Sequence, residues 1–224
     1  MTGKLIIIEA GDGCGKATQA QKLYQRLQTE GLTTKKVEFP DYNSDSSALI
    51  KMYLKGEFGK AVNDVNAYAA STFYAVDRFA SYKTKWEDDY LAGNFIIADR
   101  YTTSNMVHQA IKIKDEKERE TYLDWLWDLE FKKFKLPIPD LVIFLEMAPE
   151  YSYNLVNERA ITENSIKDIH EQDAKYLAEC YNGYCQIAEK YNWQKVNCIA
   201  DNKIRTIDDI HTEIYQIVAE KFSL

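Results

Sequence analysis

No stretch of this chain is apolar for the roughly 20 residues that a helix needs to cross a bilayer, so no membrane partner is expected. An excess of positive charge is also missing. With 28 Lys and Arg against 35 Asp and Glu the net charge is −7, which argues against a nucleic-acid footprint. An acidic chain can still hold an anionic nucleotide in a local basic site. The four cysteines (Cys14, Cys180, Cys185, Cys198) have no metal-ligand spacing, and a reduced, cytoplasmic protein is the simplest reading. No internal repeat, low-complexity tract or Pro/Gly linker divides the sequence, and no signal-peptide pattern opens it. One domain over residues 1–224 is expected.

The most informative stretch is LIIIEAGDGCGKATQAQKL, Leu5 to Leu23. A buried-strand run meets a turn carrying Gly11, Gly13 and Gly15, then Lys16 and a segment with helical spacing. Such a turn curls backbone N–H groups around a phosphate, the helix N-terminus adds a positive dipole end, and the lysine adds a full charge. The usual spacing is Gly-x-x-x-x-Gly-Lys-Ser/Thr. Here Ala10 stands at the first glycine and Ala17 at the hydroxyl that normally reaches Mg²⁺. Cys14 reads as a small residue filling a turn position.

Further apolar runs near Lys36–Phe39, Phe95–Ala98, Leu141–Leu145 and Val196–Ile199 alternate with helical patterns. Those patterns include a short helix over Ala48–Tyr53 and a long one from Asn63 or Asp64 towards Tyr90. Others run from about Asp115 to Phe134, from near Asp168 to Tyr191 and from Thr206 to Phe222. Short strands apolar on both faces, each followed by a helix, predict an α/β fold: a parallel sheet of about five strands in a three-layer arrangement. Ligands of such sheets bind beyond the carboxyl ends of the strands. The residues there are the loop, Phe39-Pro40-Asp41-Tyr42, Asp99-Arg100-Tyr101 and Glu146. Asp99 and Arg100 can hold Mg²⁺ and fork onto a phosphate, or form a structural ion pair. Tyr74 and Arg78 share a helix face, where they can read a base or pack in the core.

Taken together these segments resemble the thymidylate kinase family, within the P-loop nucleoside monophosphate kinases. The likeness runs in order through EAGDGCGKATQ, FPDY, FYAVDR, DRYTTSNMVHQA, PDLVIFLEMAPE and DIHE. It implies the P-loop kinase fold with a small lid at about 157–168, and transfer of the γ-phosphoryl group of ATP to dTMP with Mg²⁺. ATP would be held by Gly11, Gly13, Cys14, Gly15, Lys16, Ala17 and Thr18. The dTMP site would draw on Asp12, Phe39, Tyr42, Tyr74, Arg78, Arg100, Ser104, His108 and Gln109. The catalytic groups implied are Lys16, Asp12, Arg100 and a lid arginine, for which Arg159 is the candidate. Asp99 is the candidate metal contact. Members commonly form homodimers through helix packing.

The chain departs from the family at four places. Tyr42 stands where an arginine usually grips the monophosphate, His108 where a tyrosine or another aromatic is usual, Ala17 where the hydroxyl is usual, and Gly13 where an arginine can follow Asp12, in whose absence the resemblance implies a catalytic arginine from the lid. Three rivals follow: another nucleotide or nucleoside kinase on the same fold, a nucleotide-binding module with weak catalysis, and a P-loop ATPase driving a partner.

Overall fold

A computed structural model describes residues 2–153, 155 and 174–224. Five parallel strands form the central sheet: β1 (Lys4–Glu9), β2 (Thr34–Glu38), β3 (Phe95–Asp99), β4 (Leu141–Glu146) and β5 (Gln194–Asn197), in the order β2-β3-β1-β4-β5. The helices that accompany them are α1 (Lys16–Thr29), α2 (Ala48–Leu54), α3 (Ala67–Ser81), α4 (Glu87–Leu91), α5 (Thr102–His108), α6 (Glu116–Trp127), α7 (Ala174–Lys190) and, after β5, α8 (Ile207–Phe222).

β1 shows why the sheet is covered on both sides. Leu5, Ile6, Ile7 and Ile8 are all fully buried. Successive side chains point to opposite faces. Ile6 and Ile8 pack with Leu23 and Leu27 of α1 and with Ile210, Ile214 and Val218 of α8. Leu5 and Ile7 pack with Tyr82, Trp86 and Tyr101 on the other side. Each such side chain contributes roughly 1.5–3 kcal/mol by leaving water.

Three elements differ from the sequence reading. The long third helix does not start at Asn63 or Asp64. A 3₁₀ turn over Val62–Asp64 precedes it, Val65 is extended, and Asn66 is the cap, its side chain accepting from the Ala69 N–H at 2.9 Å. Asn66→Ala is expected to cost about 1 kcal/mol, a drop of roughly 2–4 °C in a thermal melt. The helices expected to run on to Tyr90 and Phe134 are interrupted by π-helical turns at Tyr82–Trp86 and Asp128–Lys133. Finally, the last strand ends at Asn197, and Ile199–Ala200 pairs with Lys203–Ile204 in a small hairpin. Asp201 and Asn202 turn it at φ 50° and 56°, a conformation these side chains tolerate.

The lid expected at 157–168, Arg159 within it, and the DIHE segment lie outside the described residues.

Candidate active site

The carboxyl ends of β1, β2 and β3 open into a cleft of about 630 Å³. One end is the loop between β1 and α1. Gly13 and Gly15 adopt φ 78° and 82°, in the left-handed region where a side chain is strained. A Cβ on Gly15 would meet nothing within 4 Å, so the demand there is the dihedral angle and not space. Ala10 is fully buried and has no positive φ, which is why alanine suffices at that point of the loop.

Lys16 is nearly buried and donates from Nζ to the Gly11 carbonyl at 2.7 Å, with Asp12 Oδ1 3.7 Å away. Burial, and then the neighbouring Arg100, push its pKa below the ordinary lysine range, with Asp12 and Asp99 opposing. Two cations thus face one small space, and an anion between them relieves both burial and repulsion.

Arg100 follows β3 at φ 68°, a left-handed conformation that costs a non-glycine residue about 1–2 kcal/mol. Its N–H bonds the Ile8 carbonyl at 3.2 Å, tying it to β1. The guanidinium fans out from there. Nη2 pairs with Asp12, while Nη1 donates to Ser104 Oγ and to Tyr184 Oη, each at 3.2 Å, and lies 3.4 Å from His108 Nε2. Burial disfavours its charge, but Asp12, Tyr184, Glu9 and Asp99 outweigh burial and raise its pKa well above the usual value.

Beneath Arg100 lies Glu9, fully buried at the end of β1 and passed over in the sequence reading. Its carboxylate accepts from Thr103 Oγ1 at 2.5 Å, Ser104 Oγ at 2.9 Å, Tyr184 Oη at 3.1 Å and the Tyr101 N–H at 3.3 Å. Burial pushes its pKa up, against Arg100 and the two hydroxyls. Tyr184 was also missed. It arrives from α7, stacks on Phe144 at 5.2 Å, and meets His108 Nε2 at 3.1 Å. Tyr176 and Cys180, two turns and one turn earlier on α7, also reach His108, at 3.1 and 3.4 Å from Nδ1. One stripe of α7 therefore closes the back of the cleft.

The other end of the cleft is aromatic and carries few charges. Phe39 is buried, its ring 5.7 Å from that of Tyr101, and the Phe39–Pro40 peptide is cis. Tyr42, Tyr74, Arg78, Asn105 and Gln109 complete it. Asn105 was not among the expected residues; its Nδ2 lies 3.4 Å from the Ser71 carbonyl. Gln109 is 1% exposed, and among the described residues its Oε1 has no hydrogen-bond partner. A buried acceptor without a partner on a residue that lines the cleft is one that a ligand N–H could satisfy. Arg78 is engaged by Glu130, through Nε at 2.7 Å and through Nη2 at 2.5 Å.

Of the residues expected to bind nucleotides, Asp12, Gly13, Gly15, Lys16, Ala17, Thr18, Phe39, Tyr42, Tyr74, Arg78, Arg100, Ser104, His108 and Gln109 line this cleft, and so does Asp99. Gly11 and Cys14 lie behind it. Gly11 offers its carbonyl to Lys16, and the Cys14 thiol is buried. Asp99 has no hydrogen bond or ion pair from its side chain among the described residues. No cluster of three His, Cys, Asp or Glu able to cage a metal occurs among them. Mg²⁺ seldom needs such a cage, since one carboxylate plus phosphate oxygens and waters suffice. The donor set fits that mode.

Known proteins are similar to this chain along most of its length. The chain is 29% identical to a thymidylate kinase of Prochlorococcus marinus strain AS9601, over all of this chain and 99% of that one. It is 28% identical to one from Mycobacterium tuberculosis strain H37Rv, over 82% of this chain and 85% of that one. In fold it is similar to the solved thymidylate kinase of Candida albicans, with a TM-score of 0.70 at 23% identity, covering 98% of this chain and 92% of the other. The profile of the thymidylate kinase family matches residues 8–214, from the end of β1 through the first half of α8. That span takes in both the phosphate loop and the aromatic pocket, and by it the chain belongs to the thymidylate kinase family.

Proposed function

We infer that this chain is an ATP-dependent nucleoside monophosphate kinase that moves the γ-phosphoryl group of ATP onto dTMP, giving dTDP and ADP. The family match supports the reaction class. The observation that carries the site reading is the pair of cations, buried Lys16 and half-buried Arg100, facing one space between the glycine loop and the aromatic pocket. Lys16 and the loop amides hold the β- and γ-phosphates of ATP. Arg100 holds the acceptor phosphate, whose second pKa near 6 leaves it mostly ionised at neutral pH, so no strong general base is required. Transfer then rests on positioning and charge neutralisation. Asp12 sits between the two cations and orients both. Mg²⁺, when bound, would neutralise charge on the phosphates, and Asp99 is the carboxylate that would hold it. Tyr74 and Phe39 flank the base. Arg78 and Gln109 supply a donor and an acceptor, the complement of the 4-carbonyl and N3–H of thymine. Ser104 and His108 act by holding Arg100. Arg159 remains the candidate lid arginine.

We take residues 1–224 as one kinase domain acting in the cytoplasm as a homodimer. Free Cys14, Cys180, Cys185 and Cys198 support a reducing compartment. Exposed Val76, Phe79 and Trp127 support helix packing against a second copy. No described helix is long and apolar enough to cross a membrane.

A coupled ADP-release assay against dTMP, dUMP, dCMP, dGMP and thymidine tests the function. Release with dTMP well above dCMP, dGMP and thymidine is the expected result. Faster release with one of those three would reassign the substrate, and ATP binding without release would mean a catalytically weak module.

A further inference from the structure

Arg78 and Glu130 are both almost wholly removed from water, with side chains 2% and 0% exposed. Glu130 takes Nε and Nη2 of the guanidinium, and Nη1 lies 3.5 Å from the Tyr101 carbonyl. Glu130 is itself held, since the Thr102 hydroxyl donates to Oε2 at 2.6 Å. Burial disfavours charge on Arg78, but Glu130 outweighs it and raises the arginine's pKa. A pair this deep gains little net stability over apolar residues of the same volume, because two ions must be desolvated. What it does supply is one orientation for the guanidinium and cancellation of its charge.

The place of Glu130 follows from the π turns. α6 gives way at Asp128–Lys133, where each turn holds more residues than an α turn. That change of phase buries Glu130, while Lys132 and Lys133 of the same segment remain exposed. The second π segment, Tyr82–Trp86, carries Lys85, which pairs with Asp41 beside the cleft. Both helix irregularities therefore deliver an ion-pair partner to a group at the site.

We propose that Glu130 is a positioning residue that sets base selectivity by fixing Arg78; this rests on the dTMP reading above. With Nε and one N–H of Nη2 taken by Glu130 and one N–H of Nη1 turned to the Tyr101 carbonyl, Arg78 is withdrawn from phosphate binding, and its other N–H groups are the donors it offers to the cleft. A base that presents a carbonyl at that edge is accepted. A base that presents an amino group there places donor against donor and is rejected. Freed from Glu130, the arginine regains a net charge and several orientations. It then tolerates an amino group by turning away, and it competes for the acceptor phosphate.

The test compares Glu130→Gln and Thr102→Val with the wild type, measuring kcat and KM for dTMP and for dCMP. Taking the ratio of kcat/KM for two substrates on one preparation cancels any loss of folded enzyme. Glu130→Gln is expected to raise KM for dTMP more than it lowers kcat, and to cut the dTMP/dCMP ratio about tenfold. Thr102→Val loosens Glu130 without removing its charge, and is expected to shift the ratio in the same direction by a smaller factor. If the wild type transfers phosphate to no monophosphate, the functional reading falls and this proposal falls with it. If the wild type discriminates and the variants keep its ratio, Glu130 is merely structural and this proposal alone is overturned. Should Glu130→Gln fail to fold, Thr102→Val decides.

Discussion

Replacing Lys16 by alanine is expected to lower kcat with dTMP by about 10²–10³-fold, the usual cost of removing a preorganised group from developing transition-state charge. The reason lies in how the other cations of the cleft are occupied. Arg100 is paired with Asp12, and Arg78 with Glu130. Neither can take over the phosphates next to the loop without leaving its carboxylate unpaired, Asp12 half-buried and Glu130 fully buried. Folding is not expected to suffer. Lys16 is disfavoured by burial and by Arg100, so its removal relieves a repulsion. A thermal melt equal to or slightly above that of the wild type, with turnover nearly lost, is the predicted pattern. Near-normal turnover in this variant would mean that the phosphates lie elsewhere.

The second large effect concerns stability. Arg78→Ala strands Glu130 as a fully buried carboxylate with, among the described residues, only the Thr102 hydroxyl as a side-chain partner at hydrogen-bond distance. Breaking a buried pair from one side typically costs about 3–5 kcal/mol, for a chain of this size a drop of roughly 6–20 °C in Tm. The double variant Arg78→Met, Glu130→Leu removes both charges together. It is expected to recover most of that loss, since matched apolar residues often replace a buried ion pair at no net cost. It should not recover base discrimination. Urea unfolding of the two variants beside the wild type checks the stability half. An Arg78→Ala melt indistinguishable from wild type would show that Glu130 is not held charged in the interior.

Much of the donor end was legible in the sequence because it is local. The strand, the turn and the helix that form the cradle are consecutive, so the order Leu5–Ile8, Gly13, Gly15, Lys16 already specifies it. Arg100 and Asp99 were legible for a similar reason, since a charged pair ending a buried run must sit at the rim of a parallel sheet. Glu9 stands at the same kind of position. It carried the same signal, but was absorbed into the loop motif and not weighed as a strand-end carboxylate. Tyr184 carried no signal, because a tyrosine on a long helix reads as ordinary packing until Glu9, 175 residues away, is seen beside it. The π turns were equally silent. Their neighbours are helix formers, and a charged run such as Lys132 and Lys133 reads as a solvated face, which hid the inward turn of Glu130.

The sequence by itself determined the α/β class, the covered sheet and the phosphate loop, because each depends on near neighbours and on the periods of strand and helix. Only the tertiary structure decided which charges are free to meet a nucleotide. Arg100 is paired 88 residues away with Asp12, and Arg78 is paired 52 residues away with Glu130. Such pairings depend on the order in which strands enter the sheet and on a helix changing phase, and neither is written in local sequence. Lys16, beside its loop in both sequence and space, is the group that both readings share.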